Sequence, residues 1–197
     1  SSCHIHMSLI DKLGKSAFSA GSDGSESSDI MTHFLAGLTH FVRDIFLLFA
    51  PTTNSYKRLR PSTFAPATVT WGEDNRTVAF RLVGKGPARR IENRIPGADV
   101  NPYLAYAAML AAGIKGIEEK LHPLGTAVTG NAYESGDAPT LPQTLDEAVE
   151  AFENSTFVRD FFGKSMQDHY ANFGRQSILA ARMAVTNYER QMLLLDI

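Results

Sequence analysis

The sequence predicts an α+β fold in which an antiparallel sheet packs against helices. Short stretches in the first half of the chain alternate polar and apolar residues with the two-residue period of a strand. Long stretches in the second half space their apolar residues as a helix does. No segment repeats, and 197 residues with 44% hydrophobic side chains suffice for one domain with a buried core.

Composition excludes several classes of protein. The net charge of -2 argues against a protein that binds nucleic acid mainly by non-specific electrostatic attraction. No apolar run is long enough to span a bilayer, and no signal peptide is visible. The lone Cys3 excludes an intrachain disulfide and fits a reducing compartment. The chain starts without Met and enters a strand pattern at once, so we expect residues 1–197 to be one piece of a longer protein.

Basic residues are concentrated in the middle of the chain. Between Lys57 and Arg94 nine basic residues stand against three acidic ones, a local surplus of six. Such an excess within a slightly acidic chain indicates a focused anion site rather than a solvated basic face. The residues counted are Lys57, Arg58, Arg60, Arg76, Arg81, Lys85, Arg89, Arg90 and Arg94, with Glu73, Asp74 and Glu92.

The stretch from Ala88 to Pro96 carries the most informative pattern. Read as a strand, it points Arg90, Glu92 and Arg94 to one face and its isoleucines to the other. A carboxylate between two guanidinium groups is costly to bury unless an anion or a metal completes the cluster. Arginine fits phosphate or carboxylate oxygens, and a carboxylate suits Mg²⁺ or Mn²⁺. The pattern predicts a pocket for an anionic substrate and a metal, with an exposed ion-pair ladder as the alternative.

The first predicted strand covers residues 2–9. It places His4, His6 and Ser8 on one face and apolar residues on the other. Two histidines spaced in this way can serve one site, one as a metal ligand and one as a hydrogen-bond partner of a phosphate. The alternative is a pair of half-exposed histidines at a sheet edge.

A helix follows a loop over residues 12–28, which is rich in glycine and serine. Ser28-Asp29 is an N-cap signal, and Pro51 ends the helical pattern. After further loops, strands are predicted over 67–71 and 76–83.

Alternation along the second of these strands puts Arg76 and Arg81 on opposite faces. A shared pocket therefore requires Arg76 at a strand end or an intervening bulge.

Helices dominate the remainder. Asn101-Pro102 is an N-cap followed by proline at the first helical position, and the helix to about residue 120 has small residues that permit close packing. Residues 121–143 are irregular. A capping box at 144–147 opens a short helix, and helical spacing returns over 164–195.

Taken together, these segments resemble the C-terminal part of the glutamine synthetase catalytic domain over essentially the whole chain. The resemblance lies in five motifs in the family's order: Cys3-His4-Ile5-His6-Met7-Ser8-Leu9, Asn54-Ser55-Tyr56-Lys57-Arg58-Leu59, Asp74-Asn75-Arg76, Arg90-Ile91-Glu92-Asn93-Arg94 and Asn101-Pro102-Tyr103-Leu104-Ala105. The family makes γ-glutamyl phosphate from L-glutamate and ATP, and ammonia or an amine then displaces the phosphate.

The resemblance implies roles on the nucleotide side of the site. His4 and Glu92 are expected to ligate the Mg²⁺ or Mn²⁺ ion that bridges the phosphates of ATP. His6 and Ser8 are expected to contact the nucleotide, and Arg90 matches a nucleotide-side arginine of the family.

Four more arginines have roles implied by the resemblance. Arg58 and Arg94 are expected to hold the carboxylate of glutamate. Arg76 and Arg81 are expected to neutralise the transferring phosphate, Arg76 as a catalytic residue.

A departure from the family pattern concerns the nitrogen substrate. Ammonia-using members carry a glutamate in the loop after Lys57-Arg58-Leu59, and Phe64 stands at its place here. A phenyl ring accepts no proton but can pack against a methylene chain or a cation. The resemblance is therefore closest to the branch that γ-glutamylates polyamines and other amines. The alternative for Phe64 is a loop packing residue.

The resemblance also implies features that rest on only a few matching residues. The turn at Gly84-Lys85-Gly86-Pro87 is short, and Lys85 is only a candidate nucleotide contact. Tyr133 falls near a tyrosine that some members nucleotidylate, although its neighbours favour an ordinary loop residue. Further metal glutamates lie upstream in the family, so this chain alone is expected to be inactive. The parent is expected to be a cytoplasmic ring of identical subunits, a dodecamer.

Other functions remain as alternatives. One is an ammonia-using glutamine synthetase, and another is a non-catalytic structural homologue. A nucleic-acid-binding module would rest on the basic segment alone, without a recognisable reader motif.

Overall fold

A four-stranded sheet positions the residues singled out above. The structure is a computed structural model that describes residues 2–20, 26–59, 63, 65–134, 136 and 138–195. The strands are β1 (Ile5–Met7), β2 (Ser19–Ala20), β3 (Glu26–Ser27), β4 (Trp71–Glu73), β5 (Phe80–Val83) and β6 (Arg90–Asn93). The helices are α1 (Asp29–Phe41), α2 (Pro102–Glu118), α3 (Leu145–Asn154), α4 (Thr156–Phe162), α5 (Lys164–Met183) and α6 (Asn187–Leu195).

The strand order of the main sheet is β1-β6-β5-β4. β6 is antiparallel to both of its neighbours, β1 and β5. The predicted α+β class is confirmed, but one pairing differs from the prediction because β4 is parallel to β5. β2 and β3 form a separate two-stranded antiparallel sheet within residues 12–28, which the sequence predicts to be a loop.

The parallel pairing results from a tight return of the chain between β4 and β5. Asp74 has a positive φ of 45°. Asn75 accepts hydrogen bonds from the amide and the hydroxyl of Thr77, and its side-chain amide donates to the carbonyls of Val128 and Gly130. This held turn brings the chain back to the start of β4, so that β5 runs in the same direction.

The helices differ from the prediction in their ends. α1 ends at Phe41 and a separate 3₁₀ turn covers Phe46–Leu48, because apolar spacing does not distinguish a continued helix from a tightened one. α4 was not predicted; the Ser155 hydroxyl caps it by accepting the amide of Val158. The predicted helix over 164–195 is broken at Ala184, whose backbone is extended.

α1 and α2 pack with their backbones in close approach, as the small residues of α2 predicted. A methyl group on Gly37 would lie 1.9 Å from the carbonyl oxygen of Ala112. A methyl group on Gly116 would lie 2.1 Å from the carbonyl oxygen of His33. Glycine is therefore required at both contact points.

The core lies between these helices and one face of the sheet. Ile5, Phe80 and Ile91 are buried on that face and belong to the same apolar cluster as Phe34 of α1 and Ala108 of α2. His6, Arg81 and Glu92 occupy the alternate positions of the three strands and point to the opposite face. Among the described helices, none combines the length and the apolar composition that a membrane crossing requires.

Candidate active site

One row of residues crosses three strands of the sheet. His6 of β1, Glu92 of β6 and Arg81 of β5 are directly paired positions. Residues at paired positions project from the same face of a sheet. The alternation predicted separately for β1 and β6 is thus confirmed, and the fold adds Arg81 to the same face.

Glu92 is a buried carboxylate that contacts two arginines and a histidine. Its side chain is 4% exposed, and Oε2 accepts a 3.0 Å hydrogen bond from Arg81 Nη1. Its Oε1 lies 3.1 Å from Arg94 Nη1 and 3.0 Å from His4 Nδ1. Burial alone would raise the pKa of Glu92, but the Arg81 hydrogen bond and the charge of Arg94 outweigh it and hold the pKa below its usual range. Because Glu92 and Arg94 are buried, the alternative of an exposed ion-pair ladder does not fit.

His4 lies beside this carboxylate, and its surroundings favour the neutral form of the imidazole. Burial lowers the pKa of His4, and the positive charges of Arg94 and Arg58 lower it further, against the opposing effect of Glu92. A neutral imidazole keeps a lone pair on one ring nitrogen, which a metal ligand requires.

His6 is tied to Arg90. Arg90 Nε donates to His6 Nδ1 over 3.1 Å, and Arg90 Nη1 donates to the carbonyl of Ala88 over 2.9 Å. A guanidinium group only donates, so Nδ1 of His6 acts as the acceptor. The other ring nitrogen, Nε2, lies 3.9 Å from Glu92 Oε1 and faces the cluster. Arg90 therefore contacts His6 rather than Glu92, unlike Arg94.

Arg58 lies at the end of the 3₁₀ turn Ser55–Lys57. Its guanidinium donates to the carbonyl of Ile95, the residue after Arg94, which places Arg58 at the end of β6 that leads into Arg94. Burial lowers the pKa of Arg58, an effect that the carboxylate of Asp99 opposes. A cavity of about 270 Å³ adjoins it, lined by Asn54, Ser55, Arg58, Ala98 and Asp99.

Two predicted site residues do not join the cluster. Arg76 lies in the turn before β5, outside the strand as a shared pocket would require, and it is exposed without a hydrogen bond to the described residues. Ser8 follows β1 and is exposed. Phe64 lies outside the described residues, so its predicted contact with the amine stays a prediction. Lys85 is exposed in the β5–β6 turn, and Tyr133 lies in the partly exposed turn Ala132–Glu134.

The described residues supply two of the ligands that the metal implied by the family would need. Glu92 and His4 supply a carboxylate and an imidazole whose donor atoms converge within 3.0 Å. These are ligand types that divalent cations accept. Within the described ranges, no group of three or more His, Cys, Asp or Glu side chains is arranged to hold a metal. The pair therefore fits a metal only together with ligands from elsewhere.

Two residues beside the site were missed by the sequence analysis. Arg89 is 4% exposed and forms a fork to the Glu73 carboxylate of β4, with a 2.7 Å bond to the Ser27 hydroxyl of β3. Asp99 accepts hydrogen bonds from Thr52 and Ser55 next to Arg58. The partners of Arg89 and Asp99 are distant in sequence, so no local sequence pattern indicates these two residues.

The chain is similar to known ligases in sequence. Residues 1–193 match the family model of the glutamine synthetase catalytic domain. A gamma-glutamylethanolamide synthetase of Streptomyces coelicolor is 50% identical over 188 residues, 95% of this chain and 40% of the relative. A glutamate–isopropylamine ligase of a Pseudomonas species is 40% identical over 192 residues, 96% of this chain and 42% of the ligase. The chain thus spans about two fifths of the length of these curated relatives.

Solved structures agree with the sequence relatives. Ligand-free GmaS matches with a TM-score of 0.86 and 34% identity, covering 98% of this chain and 44% of that chain. A complex of GmaS with ADP matches with a TM-score of 0.85 and 32% identity, covering 98% of this chain and 46% of that chain. Motifs, fold and relatives lead to one assignment. The chain belongs to the glutamine synthetase family.

Proposed function

We propose that the complete enzyme containing this chain joins the γ-carboxyl group of L-glutamate to an organic amine, using ATP and passing through γ-glutamyl phosphate. Residues 1–197 would form the C-terminal portion of its catalytic domain. The observation that carries the proposal is the buried carboxylate of Glu92 among Arg81, Arg94 and His4. The names of the two relatives, both of which join glutamate to an amine, support the reaction class.

Buried donors support an anionic ligand at this cluster. Nε of Arg81 and Nε of Arg94 are buried and have no hydrogen-bond partner among the described residues. A buried N–H group without an acceptor costs free energy, which an oxygen of a phosphate or carboxylate would recover. We assign Arg81 to the transferring phosphate and Arg94, with Arg58, to the carboxylate of glutamate. Arg76 would reach the phosphate from the turn before β5.

His4 and Glu92 would hold Mg²⁺ or Mn²⁺ together with ligands outside this chain. When bound, such a metal offsets the charge of the nucleotide phosphates during transfer. Arg81 and Arg94 would keep Glu92 ionised for this role, because both donate to its oxygens. On the nucleotide side, Arg90 would hold His6 in one tautomer, and Ser8 would lie nearby. The ADP complex of GmaS supports ATP as the nucleotide.

The choice of an amine over ammonia rests on Phe64 and on the named relatives. A side chain without charge at this place would favour the alkyl part of an amine over a small cation. The ammonia-using alternative shares the arginines and Glu92, and the matching family model is itself named for glutamine synthetase. A non-catalytic homologue is disfavoured, because His4, Glu92 and the four arginines at 58, 76, 81 and 94 are all present.

The deciding experiment follows phosphate release from ATP by the complete enzyme. The reactions contain glutamate and one of ammonia, putrescine, spermidine or ethanolamine. We expect release with at least one amine and little with ammonia. Preference for ammonia would establish the alternative. Phe64→Glu is expected to improve ammonia use relative to amines, and no gain would remove Phe64 from the nitrogen site.

We further propose a cytoplasmic ring of identical subunits, a dodecamer, as the form of the complete enzyme. Sedimentation velocity of the purified enzyme tests this assembly directly. A monomer or dimer that still ligates amines would overturn it.

A further inference from the structure

A hydrogen-bond cluster of Thr52, Ser55 and Asp99 lies beside Arg58 and apart from the Glu92 row. Asp99 Oδ2 accepts a 2.7 Å bond from the Thr52 hydroxyl and a 2.6 Å bond from the Ser55 hydroxyl. The two hydroxyls are 3.0 Å apart, and the amide of each residue donates to the hydroxyl of the other. One carboxylate oxygen thus closes the cluster.

This cluster fixes the start of the turn that carries Arg58. The Ser55 carbonyl accepts the amide of Arg58 over 3.2 Å, which closes the 3₁₀ turn Ser55–Lys57. The position of Ser55 therefore sets the backbone from which the Arg58 side chain extends. A shift of Ser55 would move the guanidinium relative to Arg94.

Asp99 is itself held by the backbone before α2. The Gly97 amide donates to the carbonyl of the buried Phe49 over 3.3 Å, and the Val100 amide donates to the Gly97 carbonyl over 3.2 Å. A methyl group on Gly97 would lie 2.4 Å from Asp99 Oδ1. The absence of a side chain at Gly97 lets the carboxylate fold back, so Asp99 connects the Arg58 turn to the core.

The carboxylate stabilises Arg58 at a distance instead of pairing with it. Within the described residues, no carboxylate oxygen lies within 4.0 Å of the Arg58 guanidinium. Oδ2 of Asp99 accepts from the two hydroxyls, and the Arg58 guanidinium donates to the Ile95 carbonyl. Both charged groups line the same cavity of about 270 Å³. Arg58 therefore keeps N–H groups for an external carboxylate, which a direct ion pair would have occupied.

We propose that Asp99 is a positioning residue, which fixes Thr52 and Ser55 and thereby holds Arg58 in place for the carboxylate of glutamate. This inference rests on the proposed function, in which Arg58 binds that group. Asp99 is not assigned a contact with the substrate. Its loss should weaken the binding of glutamate and leave the nucleotide side of the site unchanged.

The test compares Asp99→Ala and Ser55→Ala in the complete enzyme. Each is expected to raise the KM for glutamate about three- to tenfold, the factor that corresponds to one net hydrogen bond. The kcat and the KM for ATP should stay within about twofold of the wild-type values. The double variant should raise the KM no more than the larger single change, because both changes break the same link. Asp99→Asn keeps an oxygen acceptor and should return the KM for glutamate towards the wild-type value.

Asp146→Ala is the matched control, because Asp146 is an exposed carboxylate that pairs with Arg182 on the α3–α5 surface. It should leave the KM for glutamate unchanged. An unchanged KM in Asp99→Ala or Ser55→Ala, additive effects, or Asp99→Asn as impaired as Asp99→Ala would each overturn the proposal. If Asp99→Ala does not fold, Ser55→Ala and Asp99→Asn still decide. A wild-type enzyme without glutamate-dependent phosphate release would instead refute the proposed function, and this inference with it.

Discussion

Arg81 and Glu92 occupy directly paired positions of β5 and β6, and Arg81 Nη1 donates a 3.0 Å hydrogen bond to Glu92 Oε2. On its other side Arg81 pairs with Asp74 in the turn after β4. Arg81 thus connects the parallel edge of the sheet to its central carboxylate. The geometry of this pair depends on backbone pairing and not on a flexible loop.

Glu92→Gln should remove the counterion that Arg81 and Arg94 share. Breaking a buried ion pair by removing one partner costs about 3 kcal/mol or more. In the complete enzyme we expect a lower melting temperature and a loss of about 100-fold or more in kcat. Calorimetry and phosphate release measure the two effects. Glu150→Gln, at an exposed position of α3, should change neither. Near-normal activity of Glu92→Gln would exclude Glu92 from the site.

The close approach of α1 and α2 gives a prediction about stability. Gly37→Ala would place a methyl group 1.9 Å from a backbone oxygen of α2, so the helices must separate. We expect a destabilisation of about 2 kcal/mol or more. Gly130→Ala is the control, because a methyl group there meets no atom within 4 Å. Chemical denaturation should separate the two variants, and equal stability would show that the helix pair tolerates a wider spacing.

Gln167 joins three segments through one buried amide. Its Nε2 donates to the carbonyls of Phe152 and Ser155 over 2.8 Å and to that of Glu153 over 3.1 Å. Gln167→Ala would remove this donor from the α3–α4 junction, where the Phe152 carbonyl would keep only the Ser155 amide, and we expect a loss of about 2 kcal/mol. Gln176→Ala, at an exposed position of the same helix, serves as the control. A comparable melting temperature for both variants would contradict this view of Gln167.

Asp44 gives a pH dependence of defined sign. Burial raises the pKa of Asp44 above its usual value, although the Ser155 hydrogen bond and the charge of Arg43 oppose this. The fold therefore favours the protonated form. Its contribution to stability is complete below the ordinary carboxyl pKa and is lost as the pH rises through the raised value.

Asp44→Asn should accordingly gain stability relative to the wild type as the pH is raised from about 4 to 7. Thermal unfolding of both proteins across this range measures the difference. A difference that instead grows towards low pH would show that the ionised form of Asp44 is the stabilising one.

The 197-residue chain alone is expected to release no phosphate from ATP, whatever the amine. Its described residues offer His4 and Glu92 as metal ligands, and they contain no arrangement of three or more such donors. The measurement uses the purified chain with Mg²⁺ or Mn²⁺, and the complete enzyme serves as the positive control. Robust ligation by the chain would mean that two ligands suffice.

Sequence patterns predicted the strand faces and helix caps, which depend on residues that are close together in the chain. The strand period placed Glu92 and Arg94 on one face, and the Asn101 cap is confirmed by its bond to the Tyr103 amide. The parallel return at Asp74 escaped prediction, because it depends on bonds from Asn75 to a loop 53 or more residues away. The role of Asp99 escaped for the same reason, since Ser55 is 44 residues distant. Contacts between remote segments arise from the packing of the whole fold, which no local period encodes.

The row from His6 through Glu92 to Arg81 exists only while each strand keeps its register, because alternate residues of a strand face opposite sides of the sheet. One residue inserted within β6 would turn Glu92 into the core and place Ile91 on the face of His6 and Arg81, because successive residues face opposite sides. The turn at residues 84–88 lies beyond the last pair, Val83 with Arg90, so a change of length there leaves the pairing of β5 with β6 in place. Length variation in this family should therefore collect in that turn, while the strands beside it admit substitutions but no insertions.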